Sequence, residues 1–459
     1  MRRPIKIALL AFAGSENTLG LSIVTEAIRD AGIPAEFVKA DHRTAKSADY
    51  LFVSLYWWLD VYSFVRFLIQ AGIDPRKPRP HIIVGGMMSV NPRPIAPYFH
   101  TAFVGDGEVS IADVITRLEA NEDPAGLPGV WSPDGPCVAA VAPTPSPKQY
   151  VDLRKSKTTR IEIARGCKGR CPFCQLAFMK PYRELPLQVV RHLVLTAETK
   201  NVALFAPDRM SYSKIRELDQ IVKKAGKRNM GSDARLEMLR KMDVADSARF
   251  GVEGFTEAVR KRMFKVTSND ALVDGVLHVA NELKTPKGKS VTSGTMYMIA
   301  DLPGERCRSA VQEFWEQLSR IDAALKSKFT LFLSVSSFAP SPFTPLAREA
   351  IDPWLPFNEW YRGRTARFDK LIIADRGGLI AAPRRLLQMA TIRGDQSMSR
   401  FIFWVASKAW GLTTSTKNHE SKAVVAAVKK AGFEPERLWS RLDEDYLLPW
   451  SNIHVEAKA

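Results

Sequence analysis

The sequence predicts an α/β protein made of an N-terminal flavodoxin-like doubly wound domain, a second α/β unit and a C-terminal helical domain. Strand-like apolar runs alternate with amphipathic helical runs in two series, a proline-rich stretch separates the series, and a tryptophan-rich helical pattern follows them. The expected boundaries are 1–125 for the first domain, 126–155 for a linker, 156–346 for the second unit and 347–459 for the C-terminal domain.

The first domain opens with a strand at 5–12, where nearly every residue is apolar, as in a parallel strand buried on both faces. A helix follows with Leu21, Val24 and Ile28 on one face, and it ends near Gly32. The other predicted elements are strands at 35–40, 50–55, 81–84 and 102–104 and a helix at 61–71. Ligands of such sheets bind beyond the carboxyl ends of the strands.

Prolines interrupt residues 121–152 so often that no helix can continue through them. Beyond this linker the alternation of strand and helix resumes. The predicted strands are 160–164, 202–206, 230–232, 249–252, 295–299 and 331–338, and the predicted helices include 187–199 and 308–325. The segment after residue 350 is helical by pattern, and its aromatic residues are typical of a packed core. We expect it to cover the open side of the second unit.

The chain has 459 residues, a hydrophobic content of 46% and a net charge of +17. No apolar run approaches the roughly 20 residues of a membrane span. Five cysteines, three of them clustered, and a start without a signal-peptide pattern indicate a cytoplasmic protein without disulfides. The positive charge is compatible with a nucleic-acid partner or with solvated helix faces, and the sequence has no recognisable nucleic-acid-binding module.

Three cysteines, Cys167, Cys171 and Cys174, stand in C-x3-C-x2-C spacing on a loop broken by glycine and proline. Thiolates this close repel one another unless a cationic iron or zinc centre neutralises them. An iron–sulfur cube usually takes four cysteines, and Cys137 and Cys307 are distant in sequence, so one iron would remain open. A zinc knuckle or unliganded thiols are the alternatives, but no second ligand pair follows nearby.

The cysteine spacing, with Phe173 before the last cysteine, resembles the signature of the radical S-adenosylmethionine (SAM) superfamily. The resemblance implies a [4Fe-4S] cluster on the three cysteines, whose open iron binds SAM. An electron, supplied by a reductant such as flavodoxin or ferredoxin, then breaks SAM to give a 5′-deoxyadenosyl radical. The family also implies a partial TIM-type (β/α)6 barrel for 156–346, with reactive groups at the carboxyl ends of its strands.

Motifs after the second and third barrel strands resemble SAM-binding elements of the family. Asp208 stands where relatives have Gly-Gly-Glu, so it would accept the amine of SAM, or it is a turn or cap residue. Ser232 and Arg235 resemble a Ser-x-Arg stretch, and a guanidinium suits the SAM carboxylate. A surface salt bridge is the alternative for Arg235.

Two further strand ends resemble family motifs. Glu253, in the run 251–254, would bond the ribose hydroxyls of SAM or cap the next helix. Asp301 and Leu302 begin a stretch like the family's Gly-Leu-Pro-Gly-Glu, which passes under adenine. Asp301 occupies the usual glycine position, where a side chain opposes close backbone approach.

The first domain resembles the cobalamin-binding domain of the B12-dependent radical SAM group. The matching residues are Gly85, Gly86, Asn91 and Gly105. The Asp-x-His-x-x-Gly motif that supplies a lower axial histidine in some cobalamin proteins is absent from the loop after the first strand. No histidine of that loop would therefore ligate the cobalt. A domain that keeps the fold without the corrinoid is the alternative.

Three functions follow from these patterns. The first is a cobalamin-dependent radical SAM enzyme that methylates or rearranges an unactivated carbon. The second is a corrinoid-free radical SAM enzyme that modifies or isomerises a nucleoside on DNA or RNA. The third is a non-catalytic, metal-bound nucleic-acid-binding protein. The substrate would accordingly be a small molecule or a group linked to nucleic acid.

Overall fold

A computed structural model gives the fold. It describes residues 3–12, 16–152, 158–230, 233–239, 248–265, 268–285, 287–356, 368–376 and 380–455. None of the helices in these ranges is long and apolar enough to cross a membrane.

The elements are numbered in chain order. The strands are β1 (Ile5–Ala11), β2 (Ala35–Lys39), β3 (Tyr50–Ser54), β4 (His81–Gly85), β5 (Thr101–Phe103), β6 (Val130–Trp131), β7 (Cys137–Val138), β8 (Gln149–Asp152), β9 (Thr158–Glu162), β10 (Ala164–Arg165), β11 (Arg183–Glu184), β12 (Asn201–Phe205), β13 (Arg228–Asn229), β14 (Asp233–Arg235), β15 (Ala248–Glu253), β16 (Ser293–Ala300), β17 (Phe329–Ser337), β18 (Leu371–Asp375) and β19 (Ile453–His454). The α-helices are α1 (Glu16–Asp30), α2 (His42–Lys46), α3 (Asp60–Ala71), α4 (Ile111–Glu119), α5 (Leu176–Met179), α6 (Leu187–Thr196), α7 (Ile215–Lys224), α8 (Leu236–Leu239), α9 (Glu257–Arg262), α10 (Asn269–Asn281), α11 (Arg308–Ala324), α12 (Ala382–Arg393), α13 (Met398–Lys408) and α14 (Ser421–Lys430).

The N-terminal sheet has the strand order β2-β1-β3-β4-β5-β6. Its first five strands are parallel, and β6 joins the edge antiparallel to β5. The central strand β3 is buried from Tyr50 to Val53, as its unbroken apolar run predicts. The strands predicted from the sequence in this region are confirmed, each shifted by no more than one residue at either end.

Helix α3 links this sheet to the C-terminal part of the chain. The Asp60 carboxylate accepts hydrogen bonds from the Tyr56 and Trp57 amides at 3.0 and 2.8 Å and so holds the turn that leads into the helix. Gly72, in the left-handed conformation with φ 61°, ends it. Apolar residues of α3 share one core with residues of α12 and α13, and the Tyr62 hydroxyl donates to the Leu387 carbonyl at 2.8 Å.

The middle of the chain forms two sheets of mainly parallel strands, in the orders β13-β12-β9-β8 and β14-β15-β16-β17-β18. Strand β13 pairs with β12 and β14 pairs with β15, and only residues 230–232 separate β13 from β14. The chain passes from one sheet to the other between β13 and β14. The third predicted strand, 230–232, lies largely outside the described residues, because residues 231–232 are not among them. The other five predicted strands are confirmed with small shifts of their bounds.

The proline-rich segment contains no helix, as its composition predicts, but it joins three sheets. Its strand β6 extends the N-terminal sheet, β7 pairs with β19 near the end of the chain, and β8 pairs with β9. The segment expected to act as a linker is therefore packed. Cys137, for which the sequence suggested no role, is buried in β7, and its amide donates to the Asn452 carbonyl at 2.9 Å.

Candidate active site

The cysteine loop follows β10, just beyond the carboxyl end of the first parallel strand β9. Its first residue, Gly166, has φ 73°, and a Cβ there would stand 2.3 Å from the Pro181 carbonyl oxygen. Only glycine permits this approach, so the loop turns back across the chain that leaves it. This turn places the cysteines where barrel enzymes gather their reactive groups.

The loop gathers its three cysteines. A Cβ on Gly169 would stand 3.4 Å from the Cys167 sulfur and 3.8 Å from the Cys171 sulfur, so both sulfur atoms face this glycine. The Gly169 amide also donates to the Cys167 sulfur at 3.3 Å. The Cys174 amide donates to the Cys171 carbonyl at 3.0 Å, which closes a turn between the last two cysteines.

All three cysteines carry unoxidised thiols and are partly buried. Burial raises the pKa of Cys174 to about 11, and the neighbouring Cys171 and Cys167 sulfurs act in the same direction. Burial also raises the pKa of Cys171, while the Lys265 and Arg235 charges oppose that rise. The thiols therefore need a cationic partner to become thiolates together.

A single metal ion finds no ready ligand set here. In the described part of the chain, no group of three or more His, Cys, Asp or Glu side chains is arranged to hold one ion. The zinc alternative therefore gains no support from the geometry. An iron–sulfur cube is different, because each thiolate ligates its own iron and the sulfurs need not converge on one point.

Two basic residues lie beside the loop. The Cβ position on Gly169 is also 3.8 Å from Nη1 of Arg235, which ends β14, and Nη2 of Arg235 donates to the Phe264 carbonyl at 2.6 Å. Lys265 Nζ lies 3.1 Å from Oε1 of Glu253 at the end of β15. The sequence pattern did not pair Glu253 with Lys265, because α9 separates them.

The predicted amine acceptor, Asp208, follows β12 at the start of a 3-10 turn spanning Arg209–Ser211. Its carboxylate accepts a hydrogen bond from the Ser211 hydroxyl, which orients it. Ser232 lies outside the described residues, so the structure does not test its predicted role.

Asp301 keeps the backbone of the glycine it replaces, since its φ is 68°. Its side chain is 1% exposed, pairs with Arg306 and Arg385, and accepts from the Asp352 amide at 2.9 Å. The Asp301 carboxylate is thus bound by groups of the protein itself. Its neighbour Leu302 is fully buried in the core.

The residues predicted to bind cobalamin lie at strand ends of the N-terminal sheet. A Cβ on Gly86 would stand 2.4 Å from the Leu55 oxygen, and one on Gly105 would stand 2.2 Å from the Ala140 oxygen. These two glycines are required by backbone packing alone. At Gly85 the nearest atom to such a Cβ is 3.7 Å away. Asn91 donates to the Ile392 and Gly394 carbonyls, both at 2.9 Å, and so holds the end of α12.

The loop after β5 is clamped to the cysteine loop by ion pairs that the sequence did not reveal. Asp106 lies 3.1 Å from Arg165 and 3.3 Å from Arg183, and it also contacts Lys180. Glu108 pairs with Arg165 as well. Arg165 precedes the cysteines, and the other two basic residues follow them. These ion pairs, which we call the clamp, therefore hold the chain on both sides of the cysteine loop.

Comparisons with known proteins agree on a family. The family model described as "Radical SAM proteins, N-terminal" matches residues 24–126, and the one described as "Radical SAM superfamily" matches residues 161–305. The second match contains the cysteine loop and the strand ends that follow it. No curated protein matches the chain.

Two solved structures are similar. One is the radical S-adenosylmethionine methyltransferase TsrM from Kitasatospora setae, with tryptophan substrate and the SAM analog aza-SAM bound. Its TM-score is 0.52 at 14% identity, over 76% of this chain and 75% of that chain. The other is Streptococcus suis SuiB bound to S-adenosylmethionine, with a TM-score of 0.29 at 10% identity, over 48% of this chain and 50% of that chain. At this identity the similarity to TsrM concerns the fold alone. The similarity to SuiB is too weak to support a conclusion about this chain.

Proposed function

The chain belongs to the radical SAM superfamily, and we propose that it cleaves SAM reductively at a [4Fe-4S] cluster held by Cys167, Cys171 and Cys174. The observation that supports this most is that one loop beyond β9 turns the Cys167 and Cys171 sulfurs toward the same glycine and brings the Cys174 backbone back onto Cys171. When bound, the cluster supplies one electron to SAM, which splits into methionine and a 5′-deoxyadenosyl radical that takes a substrate hydrogen.

Four residues are our candidates for binding SAM. We propose that Arg235 binds the carboxylate, Asp208 the amine and Glu253 the ribose hydroxyls, with Leu302 beside adenine. In support, Arg235 lies against the cysteine loop, and its buried Nε lies 3.8 Å from the Glu237 carboxylate without a hydrogen-bond partner among the described residues. A guanidinium with unused donors suits a carboxylate.

The C-terminal segment would help to exclude water from the radical. Arg385 of α12 reaches the ends of β16 and β17, where it pairs with Asp301 and donates to the Phe338 carbonyl at 3.3 Å. Asp301 and Arg385 line a small cavity of about 40 Å³, too small for a substrate. This side of the barrel mouth is therefore closed by packing, which supports the proposed lid role.

We propose cobalamin as a second cofactor, which when bound would supply a methyl group to the substrate carbon. The N-terminal strand order is that of flavodoxin-like sheets, and the fold likeness to a radical SAM methyltransferase covers most of the chain. Asn91 Oδ1 and Gln175 Oε1 are buried acceptors without a partner in the described part of the chain, and the peripheral amides of a corrinoid are donors. Rearrangement of an unactivated carbon is the other outcome that this pairing of cofactors would permit.

A nucleic-acid-linked substrate is the second candidate, favoured by the net charge of +17. In that case the enzyme would work without corrinoid. Retention on immobilised DNA that falls steeply with salt would support it. The five cysteines form no disulfide with one another in the described part of the chain, which supports the proposed cytoplasmic location, where flavodoxin or ferredoxin would supply the electron.

Anaerobic reconstitution with iron and sulfide, followed by dithionite and methyl-labelled SAM, tests these proposals together. Production of 5′-deoxyadenosine supports the radical SAM activity, and its absence from a protein that holds a full cluster contradicts it. Corrin absorbance after incubation with cobalamin, and label carried into a product from cell extract, distinguish methylation from the corrinoid-free alternative.

A further inference from the structure

Glu253 and Lys265 form a largely buried ion pair near the cysteine loop. Their charged atoms lie 3.1 Å apart, and their side chains are 13% and 12% exposed. Each charge satisfies the other, so Lys265 is not a free donor for a substrate anion. It is a fixed positive charge in a region of low dielectric constant.

The backbone around the pair is shaped to hold it. Glu253 has φ 70° and Phe264 has φ 53°, a conformation that bulky residues rarely adopt. A Cβ on Gly251 would stand 2.4 Å from Oε1 of Glu253 and 3.2 Å from Nζ of Lys265. A glycine at this position therefore leaves the room that the pair occupies.

The pair lies near the cysteines. Arg235, which lies against Gly169, donates to the carbonyl of Phe264, the residue before Lys265. In keeping with this position, burial raises the pKa of Cys171, the Lys265 charge opposes that rise, and the Glu253 charge adds to it.

We propose that Lys265, held in place by Glu253, is a positioning residue that raises the reduction potential of the cluster on Cys167, Cys171 and Cys174. This inference rests on the proposed function. Reduction adds one electron from an external donor to the cluster, and a fixed positive charge nearby stabilises the more negative reduced state. Glu253 opposes the effect, so the two residues should shift the potential in opposite directions.

The test is a redox titration of the reconstituted, SAM-free protein with dithionite, followed by electron paramagnetic resonance of the reduced cluster. We expect Lys265→Gln to shift the midpoint to a more negative potential, Lys265→Arg to restore it, and Glu253→Gln to shift it to a more positive one. The control is Lys261→Gln, which removes the same charge from an exposed side chain and should leave the potential unchanged.

Equal potentials for wild type and Lys265→Gln, at equal iron content, would overturn the inference and leave the proposed function standing. So would a shift in Lys265→Arg as large as in Lys265→Gln. If Lys265→Gln takes up no iron, Glu253→Gln tests the inference instead. A more positive midpoint potential supports it, and an unchanged or more negative one overturns it. A wild-type protein that takes up no iron at all would overturn the proposed function as well.

Discussion

Cys171 stands between the other two cysteines of the loop, and its replacement by alanine tests the ligand set. We expect Cys171→Ala to reduce production of 5′-deoxyadenosine to background, because two thiolates no longer hold the cluster. The circular dichroism spectrum should stay unchanged, since the side chain lies in a partly exposed loop. Cys307→Ala is the control, because this cysteine is exposed and should be dispensable. Full activity of Cys171→Ala would reject the assignment.

Gly105 tests how tightly the N-terminal sheet packs on the proline-rich segment. A Cβ there would stand 2.2 Å from the Ala140 oxygen at φ 101°, so we expect Gly105→Ala to lower the free energy of unfolding by more than about 3 kcal/mol. Gly32 has φ 70° with no atom near its Cβ position, so Gly32→Ala should cost only about 1–2 kcal/mol. Urea unfolding measures both, and equal losses would show that the close approach to Ala140 is not rigid.

At the residue scale, the sequence predicted contacts that are local and missed those that are distant. The C-x3-C-x2-C spacing predicted a loop that gathers its sulfurs, because turns over two or three residues are set by the local chain. The left-handed backbone of Asp301 follows from its place in a glycine motif. Its partner Arg385 is 84 residues away, and no local pattern indicates such a pair.

At the scale of elements, Asp106 clamps the loop after β5 to the cysteine loop. Burial alone would raise the pKa of Asp106, but Lys180 and Arg165 lower it to about 2. The charged form therefore adds on the order of 2 kcal/mol of stability above pH 4, and this is lost as the pH falls towards 2. We expect Asp106→Asn to cost more stability at pH 7 than at pH 3, measured by urea unfolding. A cost that is the same at both pH values would refute the clamp.

The turn after β16 carries a carboxylate with the opposite behaviour. Burial raises the pKa of Glu305 to about 7, although its Oε1 accepts hydrogen bonds from the Thr256 amide and, at 2.9 Å, the Thr256 hydroxyl. Stability from the neutral acid is complete below about pH 4.5 and is lost as the pH rises through 7. Relative to wild type, Glu305→Gln should therefore gain on the order of 3 kcal/mol between pH 4.5 and pH 8. Unfolding curves at the two pH values check this, and parallel behaviour would contradict it.

The sequence predicted β3 because a short continuous apolar run is typical of a strand covered on both sides. The short strands β7 and β19 were not predicted, because a strand of two residues shows no hydrophobic periodicity. Their pairing joins residues that are distant in sequence. Strands β13 and β14, on either side of the third predicted strand, are also short and pair with different neighbours, β12 and β15.

At the scale of the whole molecule, residues of the N-terminal sheet, the barrel ends and the C-terminal helices share one apolar core. That core contains Val84, Leu302, Phe338 and Phe401. We therefore expect one cooperative unfolding transition, with tryptophan fluorescence and far-ultraviolet circular dichroism coinciding in urea. Two separated transitions would show that the N-terminal sheet folds as an independent unit.

The central claim is that three cysteines hold a [4Fe-4S] cluster with one iron open to SAM. Electron paramagnetic resonance of the reconstituted, dithionite-reduced protein, recorded with and without SAM, tests it most directly. We predict the signal of a reduced [4Fe-4S] cluster, whose shape changes when SAM is added. A signal that SAM leaves unaltered, or a purified protein that holds zinc and no iron, would contradict the claim.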